Sequence, residues 1–173
     1  MNGFFIGNSR ANNNGGTGFE LFSDNGFVVD SMANNNLAGA GFFVIGSNSG
    51  FVDNLAQNNT GNGFLFVSSE GVGFTGNKSK GNSSFGMLGY EVNDCFLAEN
   101  RIEQNDAVGL ILDSSDRNSI QFNTIINNSG VGAFFSSTTD DNSATGNIYR
   151  GNAFSLGLID EGDNFTDEYA IPG

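Results

Sequence analysis

The chain has no histidine, no tryptophan, one proline, one cysteine and only six basic residues among 173. Each shortage closes off something. Without histidine it lacks the side chain that most often serves as a general base or metal ligand near neutral pH. Six Lys plus Arg stand against 19 Asp plus Glu, a net charge of -13, so attraction to nucleic acid phosphates or to an anionic membrane surface is disfavoured. The basic residues Arg10, Lys78, Lys80, Arg101, Arg117 and Arg150 leave little with which to grip an anionic polysaccharide or abstract its proton. Cys95 has no partner for an internal disulfide, and its setting in Asp94-Cys95-Phe96-Leu97 marks it as a small core residue. No apolar run approaches the roughly 20 residues of a membrane span. The start, Met1-Asn2-Gly3-Phe4, has neither the basic region nor the apolar core of a signal peptide. The expectation is an extracellular protein, or one of a cell or virion surface, whose export signal is absent from this sequence.

What is abundant is glycine, with 26 residues, and phenylalanine, with 18. That is too apolar for a disordered acidic tail and too rich in glycine for a helical bundle. Asparagines recur at Asn13, Asn36, Asn59, Asn82, Asn105, Asn128 and Asn152, a nearly constant interval of about 23 residues that marks an internal repeat. A second column runs Asn8, Ser31, Asn54, Asn77, Asn100, Asn123 and Asn147, and a glycine column runs Gly18, Gly41, Gly63, Gly86, Gly109 and Gly132. Three phased columns are not a by-product of composition. After each glycine comes an apolar run of strand length, such as Phe42 to Ile45 or Leu110 to Leu112. Further apolar positions precede the second Asn column at Phe5, Val28, Phe51, Phe74, Leu97, Ile120 and Ala144. Several short strands in every repeat describe a coil rather than a hairpin.

If each coil superimposes on the last, every strand pairs in parallel with its equivalent about 4.8 Å away and identical side chains stack. Stacked Asn side chains then satisfy one another, and Asn tolerates the left-handed backbone that tight bends need. The fold expected is all-β, a single-stranded right-handed parallel β-helix (solenoid) of six to seven coils with a period of about 22–24 residues. Residues 1–154 form the coils and residues 155–173 an acidic C-terminal tail or cap. The leucine-rich repeat has an overlapping period but needs one strand per repeat and a Leu pattern that ten leucines cannot supply.

Segments such as Gly109-Leu110-Ile111-Leu112 followed by Asn118-Ser119-Ile120-Gln121-Phe122-Asn123-Thr124-Ile125-Ile126-Asn127-Asn128 resemble the parallel β-helix repeats of the pectate-lyase-like superfamily, over residues 2 to about 154. That resemblance implies the fold more than the task, because the superfamily includes polysaccharide lyases and hydrolases, epimerases, phage tail proteins and adhesins. It further implies that an enzymatic member has clustered Asp residues beside a His, or carboxylate-bound Ca²⁺ with an Arg or Lys base. Here the histidine is missing.

One acidic cluster remains. Glu91 and Asp94 precede Asp113 and Asp116 by about 22 residues, close to one period, so stacking should bring these carboxylates to one rim beside Arg117, with Asp140 and Asp141 one coil further on. Paired carboxylates of this kind run glycoside hydrolysis, with Asp113 and Asp116 as the catalytic pair and Glu91, Asp94, Arg117 and Asp140 binding substrate. They equally bind a hard cation such as Ca²⁺, or form nothing more than a solvated acidic bend. No other cofactor is expected. The segment Asp160-Glu161-Gly162-Asp163-Asn164 has the composition of a calcium loop without its spacing.

The strand after each glycine lacks alternation. One set of its side chains fills the core. The other, Phe43, Leu65, Leu88, Ile111 and Phe134 beside Phe22, Ile45, Val67 and Tyr90, points outward as an apolar patch larger than a soluble monomer usually leaves bare. The expectation is a homo-oligomer assembled through this sheet, a non-catalytic surface scaffold for carbohydrate or protein contact of adhesin, tail-fibre or envelope type. A polysaccharide lyase or glycoside hydrolase working from the acidic rim is the alternative.

Overall fold

In a computed structural model, which describes residues 3–153 and 157–167, the chain winds through 22 short strands and no α-helix among those residues. Each coil contributes one strand to each of three parallel sheets, about seven coils in all. Sheet one holds the glycine-led strands Phe19–Phe22, Phe42–Ile45, Phe64–Val67, Met87–Tyr90, Leu110–Asp113, Ala133–Phe135 and Leu158–Asp160. Sheet two holds eight strands, from Phe5–Gly7 and Phe27–Val29 to Ser143–Thr145 and Phe165–Asp167. Sheet three holds seven, from Arg10–Asn12 to Ile148–Arg150. The expected parallel β-helix is therefore the fold. At about 4.8 Å per coil its body is roughly 30 Å long.

The core is built of stacked columns. Phe19, Phe42 and Phe64 lie ring on ring with centroids 4.9 Å apart and planes within 8°, and Phe51 stacks on Phe74 at the same distance. A one-coil rise falls within the centroid separation of offset-stacked aromatic rings, so the period that pairs the backbones also packs the rings.

The Asn ladder closes the corner between sheets three and one. Asn59 Nδ2 donates to Asn82 Oδ1 at 3.0 Å and to the Ala33 carbonyl at 3.0 Å, while its backbone N–H also donates to Asn82 Oδ1. Repeated from coil to coil, this uses both donors and both lone pairs of each internal amide, which is why Asn36, Asn59, Asn82 and Asn105 are wholly buried at no polar penalty. The left-handed residue of this bend is the one before each ladder Asn: Asn35, Asn58, Gly81, Gln104, Asn127 and Gly151 have φ between 53° and 64°. That corrects the expectation that the ladder residues themselves adopt it. Gly41 follows the bend because a Cβ there would lie 2.8 Å from both the Gly63 carbonyl oxygen and Asn59 Nδ2.

The first coil is one step out of phase with the other coils. Asn14, not Asn13, donates to Asn36 Oδ1, and Ser9, not Asn8, reaches Ser31. Ile6 pairs with Val28, so Phe5, expected in the core, is 74% exposed. A third amide column that the sequence did not announce runs Asn118, Asn142 and Asn164 between sheets one and two, each Nδ2 donating to the next Oδ1 at 2.8 Å. Cys95 occupies the preceding place in it, its N–H bonded to Asn118 Oδ1. The segment set apart as a tail contributes two strands in coil register, Leu158–Asp160 beside Ala133–Phe135 and Phe165–Asp167 beside Ser143–Thr145. Ser155, Leu156 and residues 168–173 of that segment lie outside the described residues.

Candidate functional site

Each sheet-one strand ends in a turn that climbs to sheet two, and the acidic residues gather there. Two positions of this turn take positive φ: Ser68, Glu91 and Ser114 at the first, and Asn25, Asn48, Asp94, Arg117 and Asp141 at the second. Short polar side chains suit such positions because they bond locally to backbone. The coils here superimpose at an offset of 23, as in the bond from the Val92 N–H to the Ser115 hydroxyl, one more than the offset on which the rim was expected to stack. Tyr90 therefore lies beside Asp113, and the Asp94 carboxylate lies under the Arg117 guanidinium. The expected pairs still meet through their backbones, the Glu91 N–H donating to the Asp113 carbonyl at 3.0 Å and the Asp94 N–H to the Asp116 carbonyl at 3.2 Å.

The carboxylates of this rim hold neighbouring coils together. Arg117 grips Asp94 through Nε at 3.0 Å and a terminal guanidinium nitrogen at 2.8 Å, which keeps the Asp94 carboxyl below the usual range and raises Arg117. Asp116 Oδ1 accepts the Asp140 backbone N–H at 2.9 Å, and Asp140 Oδ1 accepts that of Asp163 at 3.0 Å. Asp113 Oδ1 receives the Ser136 hydroxyl at 2.7 Å, with the Thr138 and Ser114 hydroxyls at 3.3 and 3.4 Å. Glu91 accepts the Ser68 hydroxyl at 3.0 Å and pushes up the neighbouring Tyr90 phenol. A carboxylate held down by an arginine is a poor proton donor near neutral pH, so Asp94 is unsuited to general acid work.

The outer face of sheet one is apolar as expected. Glu20, Phe43, Leu65, Leu88, Ile111, Phe134 and Ile159 form one straight column by register, all but Glu20 half-buried by their stacked neighbours. Beside it Phe22, Ile45 and Tyr90 are exposed, and Phe22 meets Phe43 edge to face at 5.5 Å. Val67 continues that second column and Asp113 ends its apolar run.

A second charged cluster escaped the sequence reading. On sheet three Lys78, Lys80 and Arg101 surround Glu103. Its signal was legible: a strand reading Lys78-Ser79-Lys80, with Arg101 one period after Lys78 and Glu103 one period after Lys80.

Similarity to known proteins is strongest at the level of fold. The chain superimposes on the A-module of the Azotobacter vinelandii mannuronan C-5 epimerase AlgE6 with a TM-score of 0.75 and 19% identity, covering 98% of this chain and 57% of that one. It matches a double mutant of the periplasmic alginate epimerase AlgG at 0.74 and 16% identity, covering 98% of this chain and 49% of that one. The enzymatically active domain of tailspike protein 2 from bacteriophage CBA120 matches at 0.67 and 9% identity, covering 95% and 27%. The chain thus spans little more than half of these structures at most. No curated protein matches it.

A family model described as periplasmic copper-binding protein (NosD) matches residues 2–168. Copper is held by imidazole, thiolate or thioether ligands. The chain has no histidine, and its one thiol is 2% exposed with its pKa pushed up to about 11 by burial. Of its three methionines Met87 is fully buried, Met32 is half-buried on sheet three, and Met1 lies outside the described residues. Among the described residues no three His, Cys, Asp or Glu come together in a way that would hold a metal ion, so the donor set does not fit copper. No helix of the described residues is long and apolar enough to cross a membrane. By a match that runs almost from end to end, and with a right-handed parallel β-helix to support it, the chain belongs to the NosD family.

Proposed function

We propose that the chain is a non-catalytic β-helix module that works outside the cytoplasm as a rigid scaffold for polysaccharide or protein contact, assembling with its own copies through sheet one. The observation that carries this reading is the use of the rim carboxylates. Asp94, Asp116 and Asp140 each bind a group of the next coil, and Asp113 gathers hydroxyls from its own coil and the next. They act as ties between coils, and no histidine stands beside them. The apolar columns of sheet one support association, since contiguous apolar faces of this kind mark interaction surfaces. The family's description as periplasmic and the carbohydrate-related names of the structural neighbours support a place outside the cytoplasm and a sugar polymer as ligand.

The test is incubation with acidic and neutral polysaccharides, with and without Ca²⁺, following binding, reducing ends and unsaturated-product absorbance. The reading expects binding without cleavage under either condition. Cleavage abolished by Asp113→Asn or Asp116→Asn would replace it with a lyase or hydrolase acting at the rim.

A further inference from the structure

The cations of this chain are gathered rather than spread. Five of the six Lys and Arg residues stand on strands of sheet three, at positions that strand alternation turns outward. Glu103 is the only carboxylate in those outward positions. Register sets Arg101 beside Lys78 and Glu103 beside Lys80. Glu103 Oε1 lies 3.0 Å from Lys78 Nζ and 3.6 Å from Lys80 Nζ. Its Oε2 accepts Arg101 Nε at 2.8 Å and a terminal guanidinium nitrogen at 2.6 Å. The Glu103 side chain is sunk to 8% exposure under cations that are 36–47% exposed.

One cation would neutralise one carboxylate. Three around one leave a formal charge of +2, that is three minus one, with Lys78 and Arg101 side by side as like charges that cost stability. Any one of these cations would already neutralise Glu103, so pairing with that carboxylate does not call for all three. The guanidinium fork and both ammonium groups also keep donors that Glu103 does not use. The cluster is a local surplus of positive charge in a chain whose net charge is -13.

We propose that Lys78, Lys80 and Arg101 on the outer face of sheet three bind a linear polysaccharide carrying carboxylate or sulfate groups. It lies along the long axis, so that successive anionic groups meet cations on successive coils about 4.8 Å apart, the arginine taking its group in a two-point contact. This rests on the proposed carbohydrate contact and names its face and charge class. Duplex DNA, with one charge per roughly 1.7 Å of axis, is too dense in charge for three cations on an acidic body.

The experiment measures fluorescence anisotropy of the whole chain with labelled polyuronate, a sulfated glycan, a neutral glucan and a DNA duplex in about 0.1 M salt, where charges more than about 10 Å apart are largely screened. Wild type should bind the polyuronate or the sulfated glycan, and whichever binds identifies the group recognised. The double variant Lys78→Gln, Lys80→Gln, which leaves the Arg101–Glu103 pair intact, should bind about tenfold more weakly with an unchanged melting temperature. Glu103→Gln, which raises the cluster to +3, should bind several-fold more tightly, an effect that a purely structural role would not produce. Equal binding by wild type and the lysine double variant overturns this proposal and leaves the polysaccharide reading standing, as does binding of the neutral glucan alone. Preference for the duplex also overturns it. Failure to bind any of the polysaccharides sinks both.

Discussion

At the scale of single residues, the side chains that were legible are those whose chemistry forces repetition. A buried amide that is satisfied by its own copy one coil away must recur at the period, and Asn59, Asn82 and Asn105 do. Its conformation was not legible, because Asn suits both the ladder place and the left-handed place before it, and pairs such as Asn35-Asn36 and Asn58-Asn59 fill both. Asn82→Ala would remove the acceptor of the Asn59 N–H and amide and the donor to the Ala56 carbonyl. At about 1–3 kcal/mol per orphaned buried group, the expected loss is about 3 kcal/mol or more in chemical denaturation. A loss below about 1 kcal/mol would mean that water replaces the amide freely. Cys95 supplies a pH signature. Its thiol is raised to about 11 by burial, so its neutral form is favoured in the folded chain. The associated stability is whole below the unfolded thiol value and is lost as pH rises from about 9 through about 11. A shift of about two pK units corresponds to about 2–3 kcal/mol. Comparing wild type with Cys95→Ala across pH 8 to 11 should show the steeper loss of stability in the wild type; parallel curves would place the thiol in contact with water.

At the scale of strands and coils, the phase of six coils could be read because Gly, Asn and apolar positions agree there. The first coil could not. Asn12-Asn13-Asn14 offers several residues for one ladder place, and a one-residue shift exchanges inward for outward side chains along the strand. Ile6 rather than Phe5 turns toward the core, a choice that rests on packing against Val28 rather than on the period. Glycines of the same fold should likewise divide by their surroundings. A Cβ at Gly86 would lie 2.5 Å from the Gly109 carbonyl oxygen and against Ile102, so Gly86→Ala should destabilise by roughly the 1–3 kcal/mol of an overpacked site. A Cβ at Gly73 would meet nothing within 4 Å. Gly73→Ala should be neutral or stabilise by up to about 1 kcal/mol through the unfolded chain. Thermal melts of the two variants check the contrast, and equal effects would contradict the close packing at the glycine column.

At the scale of the whole molecule, the sequence led to the acidic rim because acids are plentiful and adjacent there. It passed over sheet three, where the same period assembles the scarce cations around Glu103. A residue type in short supply is diluted least by chance, so its clustering is a signal of a different kind from that of the plentiful acids. The outer face of sheet one was legible from its lack of alternation, and Phe43, Leu65, Leu88, Ile111 and Phe134 do line up by register. A body with an apolar column up one side and net charge -13 has a reason both to associate and to do so at one face only, because like charge opposes contact elsewhere. The measurement that tests the scaffold most directly is sedimentation velocity at micromolar concentration, wild type beside a Leu65→Glu, Ile111→Glu double variant. The account predicts a wild-type dimer or trimer and a folded, monomeric variant; a monomeric wild type, or a variant that associates as the wild type does, would contradict it.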